Sequence, residues 1–243
     1  MTDSLNTKDA EGNWYCTGVF GDAGTWMTQN LRTKGTLTEH GNPGTDTSLK
    51  YYWYPGSSLS ASASTAHDTL DTHPEYGLWY TWAAASGRTG ATGNESSSSG
   101  QTVYQGICPN GWHLPSDYEW SQLESVIAVA SANTYSTTGT LVWDDAWYDE
   151  SGRGEYATKL LSSGGVMGAP ARGTSLPCNA GGFDALPCGR SWSGIAWLGL
   201  QATFWTSSAA TSTEARRRGF AGTVSTRSRG NHWVLMNVRC KAD

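Results

Sequence analysis

The residues best equipped for chemistry crowd the C-terminus, and the chemistry they suit is recognition. Between Phe204-Trp205-Thr206-Ser207-Ser208 and Asn237-Val238-Arg239-Cys240 lies a segment, Thr211 to Val234, rich in Arg, Gly, Ser, Thr and Ala. It holds five of the chain's eleven arginines. Neither helical nor strand periodicity is visible in it, so it reads as an irregular surface segment. Arg, Gly, Ser and Thr supply donors, acceptors and backbone freedom without a packed core, which is how binding surfaces are composed. Arg216, Arg217, Arg218, Arg227, Arg229 and Arg239 form a basic concentration in an otherwise acidic chain, a patch able to steer an anionic ligand. Ordinary surface ion pairs are the alternative for each. Trp233 stands among polar residues, where an exposed indole serves as an interface anchor.

Catalytic signatures are missing. The sequence contains no H-E-x-x-H, G-x-S-x-G or Walker-type loop, and no cofactor is expected. The five histidines (His40, His67, His73, His113, His232) lack a short metal spacing, and His113 reads as structural between Trp112 and Leu114. Asp144-Asp145 and Asp149-Glu150 have the chemistry for calcium, but solvated loop acids are the preferred reading. The cysteines, Cys16, Cys108, Cys178, Cys188 and Cys240, show no C-x-x-C or His-paired pattern. Pairing of Cys108 with Cys240 and of Cys178 with Cys188 is expected, leaving Cys16 free. The alternative is five thiols in a reducing compartment.

The elements that must position this surface are rich in aromatics. Of 243 residues, 30 are Gly and 13 Trp, and only 15% are charged, which disfavours a helical bundle. One continuous aromatic core is expected, with Trp79, Trp82, Trp112, Trp120 and Trp205 packed in it. A net charge of −5 argues against a general nucleic-acid binder. No apolar run approaches the ~20 residues of a membrane span, and Met1-Thr2-Asp3-Ser4 has no leader pattern.

Trp14 to Val19, a Gly21-Asp22-Ala23-Gly24 turn and Trp26-Met27 predict a strand pair. Ser57 to Thr65 and Gly87 to Gly100 read as surface loops, and Tyr76 to Ala85 as a short helix. Ser116-Asp117-Tyr118-Glu119 matches the capping box that opens a helix, with Trp120, Leu123, Ile127 and Ala130 on one face. A weaker helix covers Glu155 to Leu161. Short strands are predicted at Phe183–Leu186, Trp197–Leu200, Phe204–Ser207 and Val234–Cys240. Helices early and strands late point to an α+β domain, with no internal repeat and no interdomain linker.

Several phrases resemble the Fibrobacter succinogenes major paralogous domain (FISUMP). They are Asp9 to Tyr15 (DAEGNWY), Trp26 to Leu31 (WMTQNL), Tyr76 to Ala85 (YGLWYTWAAA) and Cys108 to Pro115 (CPNGWHLP). Gly182 to Gly189 (GFDALPCG), Phe204 to Ser208 (FWTSS) and Val238-Arg239-Cys240 complete the set. The resemblance covers about residues 9 to 243 as a single domain. Surface insertions near 57–70 and 87–102 depart from it, as does Leu235-Met236-Asn237, where Gly, an aromatic and Ser are usual.

The resemblance implies a C-type-lectin-like fold, related at fold level to formylglycine-generating enzymes, on a cell surface, secreted or on a virion. One branch is similar to the variable proteins of diversity-generating retroelements, phage or bacterial, in which a rewritten terminal segment forms a ligand-binding face. By that similarity Ala215, Arg218, Phe220 and Arg227 are framework. Ligand contact would fall on Arg216, Arg217, Gly219, Ala221, Gly222, Thr223, Ser225, Ser228, Arg229, Gly230, Asn231, Trp233 and Val234. The implied partner is a protein or glycan on a target cell, bound by an adhesin-type receptor, with no nucleic acid and no membrane insertion. A carbohydrate-binding module using Trp233 or Trp53 is the alternative, followed by a formylglycine-generating type of oxidase with reactive cysteines.

Overall fold

Phe204 and Trp205, neighbours in sequence, enter different hydrophobic cores, and the strand that carries them is the centre of the architecture. The computed structural model describes residues 6–42, 44–90, 95, 102–130, 156–192 and 194–243. The chain begins with β1 (Asn6–Lys8), β2 (Trp14–Val19), β3 (Thr25–Met27), β4 (Thr38–Glu39) and β5 (Tyr51–Trp53). There follow α1 (Ala63–Thr72), β6 (Trp79–Tyr80), α2 (Trp82–Ser86), β7 (Trp112–His113), α3 (Asp117–Ala130) and α4 (Ala157–Leu160). Then come β8 (Arg190–Ser191), β9 (Ile195–Ala196), β10 (Gln201–Ala209), β11 (Glu214–Ala221), β12 (Val224–Asn231) and β13 (Lys241–Ala242). The fold is mixed α and β, rich in sheet and poor in helix.

Strands open the chain as well as close it, so the expected order of helices before strands is corrected. The β2–β3 pair forms where the Gly/Asp turn predicted it. β13 inserts between β3 and β7, with Lys241 opposite Trp26 on one side and His113 on the other. β1 and β13 thus share one sheet. The Cys108–Cys240 disulfide, Cα atoms 5.9 Å apart, closes this junction as expected.

β10, β11 and β12 form an antiparallel meander. Side chains alternate along β10, so Ala202 and Phe204 join Trp120, Trp26, Phe183 and Phe220, while Trp205 joins Tyr80, Trp82 and Met236. The aromatic interior is therefore divided by the sheet instead of being one continuous core. Buried indole N–H groups need acceptors: Trp205 donates to the Tyr80 carbonyl at 2.8 Å and Trp82 to that of Thr206 at 2.9 Å.

The capping box is present. Ser116 Oγ accepts from the Glu119 N–H at 3.2 Å, and Glu119 Oε2 accepts from the Ser116 N–H at 2.8 Å. Glu119 Oε1 also meets His113 Nε2 at 2.9 Å and Lys241 Nζ at 3.0 Å. Burial raises the Glu119 pKa, but its hydrogen bond with His113 and the nearby charges outweigh burial and hold it at about 2.

Other local expectations are revised by long-range pairing. Tyr76 to Ala85 is helical only from Trp82, because Trp79 and Tyr80 pair with β5 and Tyr80 bridges Met236. Thr81 caps the shortened helix. Ser57 to Thr65 is not wholly a surface loop: Ser57 is buried and α1 begins at Ala63. Phe183–Leu186, Trp197–Leu200 and Val234–Cys240 are not strands, whereas Phe204–Ser207 lies within β10. The weak helix appears as α4, its Glu155 lying outside the described residues. Most of 87–102, and Asp144, Asp145, Asp149 and Glu150, lie outside them too.

Candidate functional site

Thr211 to Val234 is a regular hairpin, β11–β12, and not an irregular segment. Ala221 pairs with Val224 across Gly222-Thr223, and Gly222 has φ +55°, as the first position of a II′ turn requires. Periodicity was invisible because both faces of the hairpin are covered, so polar and apolar residues do not alternate. On the α3 side, Arg218 and Arg227 face each other in register and converge on Asp117. Arg218 binds Asp117 through Nη1, donates from Nε to Glu124 at 2.6 Å, and from Nη2 to Ser121 Oγ at 3.1 Å. Arg227 donates to Asp117 Oδ2 from Nε at 2.9 Å and from Nη2 at 2.7 Å. Burial raises the Asp117 pKa, and the two guanidinium charges more than reverse this, holding it well below the carboxylate range. Its contribution to stability is therefore present above the ordinary Asp pKa and is lost only as pH falls through the depressed value. Removing one partner of such a buried cluster costs about 3–5 kcal/mol.

This geometry corrects the expected exposure of the contact residues. Arg216, Arg217, Gly219, Ser225, Ser228, Gly230 and Val234 are buried. Gly222, Thr223 and Arg229 are exposed, and Ala221, Asn231 and Trp233 are half-buried. The basic concentration is not a surface patch either. Of its six arginines only Arg229 is exposed, and it meets Glu214 at 3.3 Å. Arg239 is fully buried, donating to Asn30 Oδ1 at 2.8 Å and the Phe183 carbonyl at 2.8 Å.

Trp233, one of the expected contact residues, lines a cavity. Its neighbours fix it. His232 is buried and stacks on Trp82 with ring centroids 4.1 Å apart, while Val234 is also buried. Ser191 then exchanges hydrogen bonds with Leu235, donating its N–H to the Leu235 carbonyl at 3.0 Å and accepting the Leu235 N–H on Oγ at 3.1 Å. That pairing brings the β8–β9 turn alongside, so that Trp192 meets Trp233 edge to face at 6.1 Å. The Arg190 guanidinium lies over the Trp192 ring at 5.2 Å. Trp192 is 44% exposed. The two indoles, with Ile195, form one wall of a groove of about 810 Å³. Asn42, Thr45, Ser58 and Ser60 are the polar side chains lining the rest. Trp192 and these loop residues were missed in the sequence, although Trp192 in a Ser/Gly turn repeats the signal that singled out Trp233. Trp53, the other aromatic expected to meet sugar, is buried and donates to the Ser57 carbonyl at 3.4 Å.

The second expected disulfide does not form. Cys16, Cys178 and Cys188 are free thiols, and the sulfur neighbour of Cys178 is Cys16, not Cys188. Chain spacing favoured Cys188, but the fold places Cys178 against β2. Burial pushes Cys178 up to about 12 and raises Cys188 as well, opposite to the shift that makes a thiolate reactive. Among the described residues no group of three His, Cys, Asp or Glu is placed to hold a metal ion, and no helix is long and apolar enough to cross a membrane.

Comparison with curated proteins and with solved structures finds no match. The profile of the Fibrobacter succinogenes major domain matches residues 22–240, which takes in the phrases from Trp26 to Cys240 and leaves Asp9 to Tyr15 outside it. The chain belongs to the Fibrobacter succinogenes major domain family.

Proposed function

We propose that this protein is a non-catalytic recognition protein of a cell or virion surface, on a C-type-lectin-like fold, with its ligand contacting the Trp233 end of the β10–β12 sheet. The observation that carries this reading is the Trp192–Trp233 pair, packed edge to face along a large groove, with Trp233 flanked by buried His232 and Val234. Indoles that reach solvent from a packed frame are among the residues that dominate binding energy at interfaces. The upward-shifted thiols support a binding role over an oxidase.

Diversification by a retroelement is the finer part of the reading. The structural roles of Arg218, Arg227 and Phe220 support their assignment as framework. Variation then belongs on Ala221, Thr223, Arg229, Asn231 and Trp233, which keep contact with solvent. Sequencing the locus across isolates tests this. A reverse-transcriptase gene beside a near-copy of the terminal coding stretch, with substitutions concentrated at those five positions, is the expected result. Substitutions spread evenly over Arg218, Arg227 and Phe220 would refute it.

A further inference from the structure

The recognition reading leaves the ligand's chemistry open, and the lining of the groove narrows it. Resting on that reading, we propose that the groove lined by Asn42, Gly44 and Thr45, the 56–60 loop and the Trp192–Trp233 pair binds a neutral saccharide.

The lining is the first support. Among the described residues it carries no ionisable side chain, in a protein whose net charge is −5. An acidic glycan, a phosphate or a charged peptide would find no counter-charge there. Arg190 is buried and engages Trp192 across its ring, 5.2 Å away, so it backs the wall of the groove.

The second support is that the lining combines apolar surface with neutral polar groups. A sugar ring has an apolar face of C–H bonds and an equator of hydroxyl groups. Trp192 and Trp233 offer flat apolar surface, with Ile195 and Leu59 adding aliphatic contact, whereas Asn42, Thr45, Ser58 and Ser60 offer neutral donors and acceptors. A purely apolar occupant would leave those polar groups desolvated without partners, at a cost.

The third support is preorganisation. Asn42 Oδ1 accepts the Gly44 N–H at 3.3 Å, which leaves its amide N–H₂ group directed by that bond. Ser58 and Ser60 hydroxyls lie 3.2 Å apart, and the Ser60 N–H donates to Ser58 Oγ at 3.4 Å. Trp233 is held on both sides by buried residues. Side chains already ordered lose little entropy on binding.

The experiment uses the full chain on an array of neutral, uronic-acid-bearing and sialylated oligosaccharides, with titration calorimetry of any hit at low and high sodium chloride. Neutral oligosaccharides should bind, with affinity that changes less than about twofold between the two salt concentrations. Trp192→Ala should weaken binding by about 30-fold, and Trp233→Ala by a similar factor. Trp192 is more exposed than Trp233, so its variant keeps the test valid should Trp233→Ala fold poorly, and thermal melting of both separates the two effects. Binding confined to acidic glycans, or binding untouched by Trp192→Ala, overturns the proposal. Selection of a peptide-display library on the same protein distinguishes the remaining failures. No glycan binding together with a Trp233-dependent peptide overturns the saccharide and leaves the recognition reading standing. Neither ligand class binding overturns both.

Discussion

His232 shows how one residue joins the interior to the groove. It is fully buried, stacks on Trp82 and is the immediate neighbour of Trp233. Burial, helped by the Arg88 charge, outweighs the Glu214 backbone and the Glu95 carboxylate and lowers its pKa to about 4. The unfolded chain therefore binds a proton between the ordinary value of about 6.5 and about 4, while the folded chain does not. Stability from this residue is complete above pH ~6.5 and declines as pH falls through that window, by about 3 kcal/mol at most. His113 behaves oppositely. Burial lowers its pKa, but Glu119 and Asp243 raise it to a net value above normal, so its contribution is complete at low pH and fades as pH rises through the raised value. His232→Phe keeps a ring on Trp82 and abolishes the titration. Urea denaturation at pH 4.5 and 7 should show a smaller acid-side loss for the variant than for the parent; equal losses would reject this assignment.

At the scale of elements, the β11–β12 hairpin separates residues that can change from those that cannot. Gly230 lies against the second core: a Cβ there would come within 2.9 Å of Met236 Cε and 3.2 Å of the Trp205 ring. Gly230→Ala should destabilise by about 1–3 kcal/mol through overpacking. Thr223, exposed in the turn, should tolerate Ala within about 0.5 kcal/mol. Chemical denaturation of both variants checks the contrast, and similar midpoints would show that the hairpin is not packed as described. Both residues look alike in sequence, as small polar-segment members. Nothing local distinguishes them, since Gly230 is constrained by Trp205 and Met236 on other segments. The α3 capping box was legible for the converse reason: its donors and acceptors lie within four consecutive residues, Ser116 to Glu119.

At the scale of the whole molecule, β13 and a disulfide tie distant parts of the chain together. Cys108 and Cys240, 132 residues apart, join beside the sheet in which β13 lies between β3 and β7. Cross-linking a loop of that length restricts the unfolded chain by about 5 kcal/mol in the chain-entropy account. Cys108→Ser should lose a large share of that value, and reductant should shift the parent to the variant's midpoint but leave the variant unchanged. A shift below about 1 kcal/mol would mean that the strand pairing alone secures the terminus.

Sequence by itself determined the family phrases, the aromatic interior, the β2–β3 turn and the start of α3. Each rests on residue type or short-range spacing. Only the tertiary structure decided that Arg218 and Arg227 are interior, because the carboxylate that compensates them belongs to Asp117, 101 and 110 residues away. Likewise it alone set Cys16 beside Cys178 and Trp192 beside Trp233. A side chain's burial and its partner are properties of non-local packing, and an arginine-rich strand looks the same on paper whether water or a buried aspartate receives it.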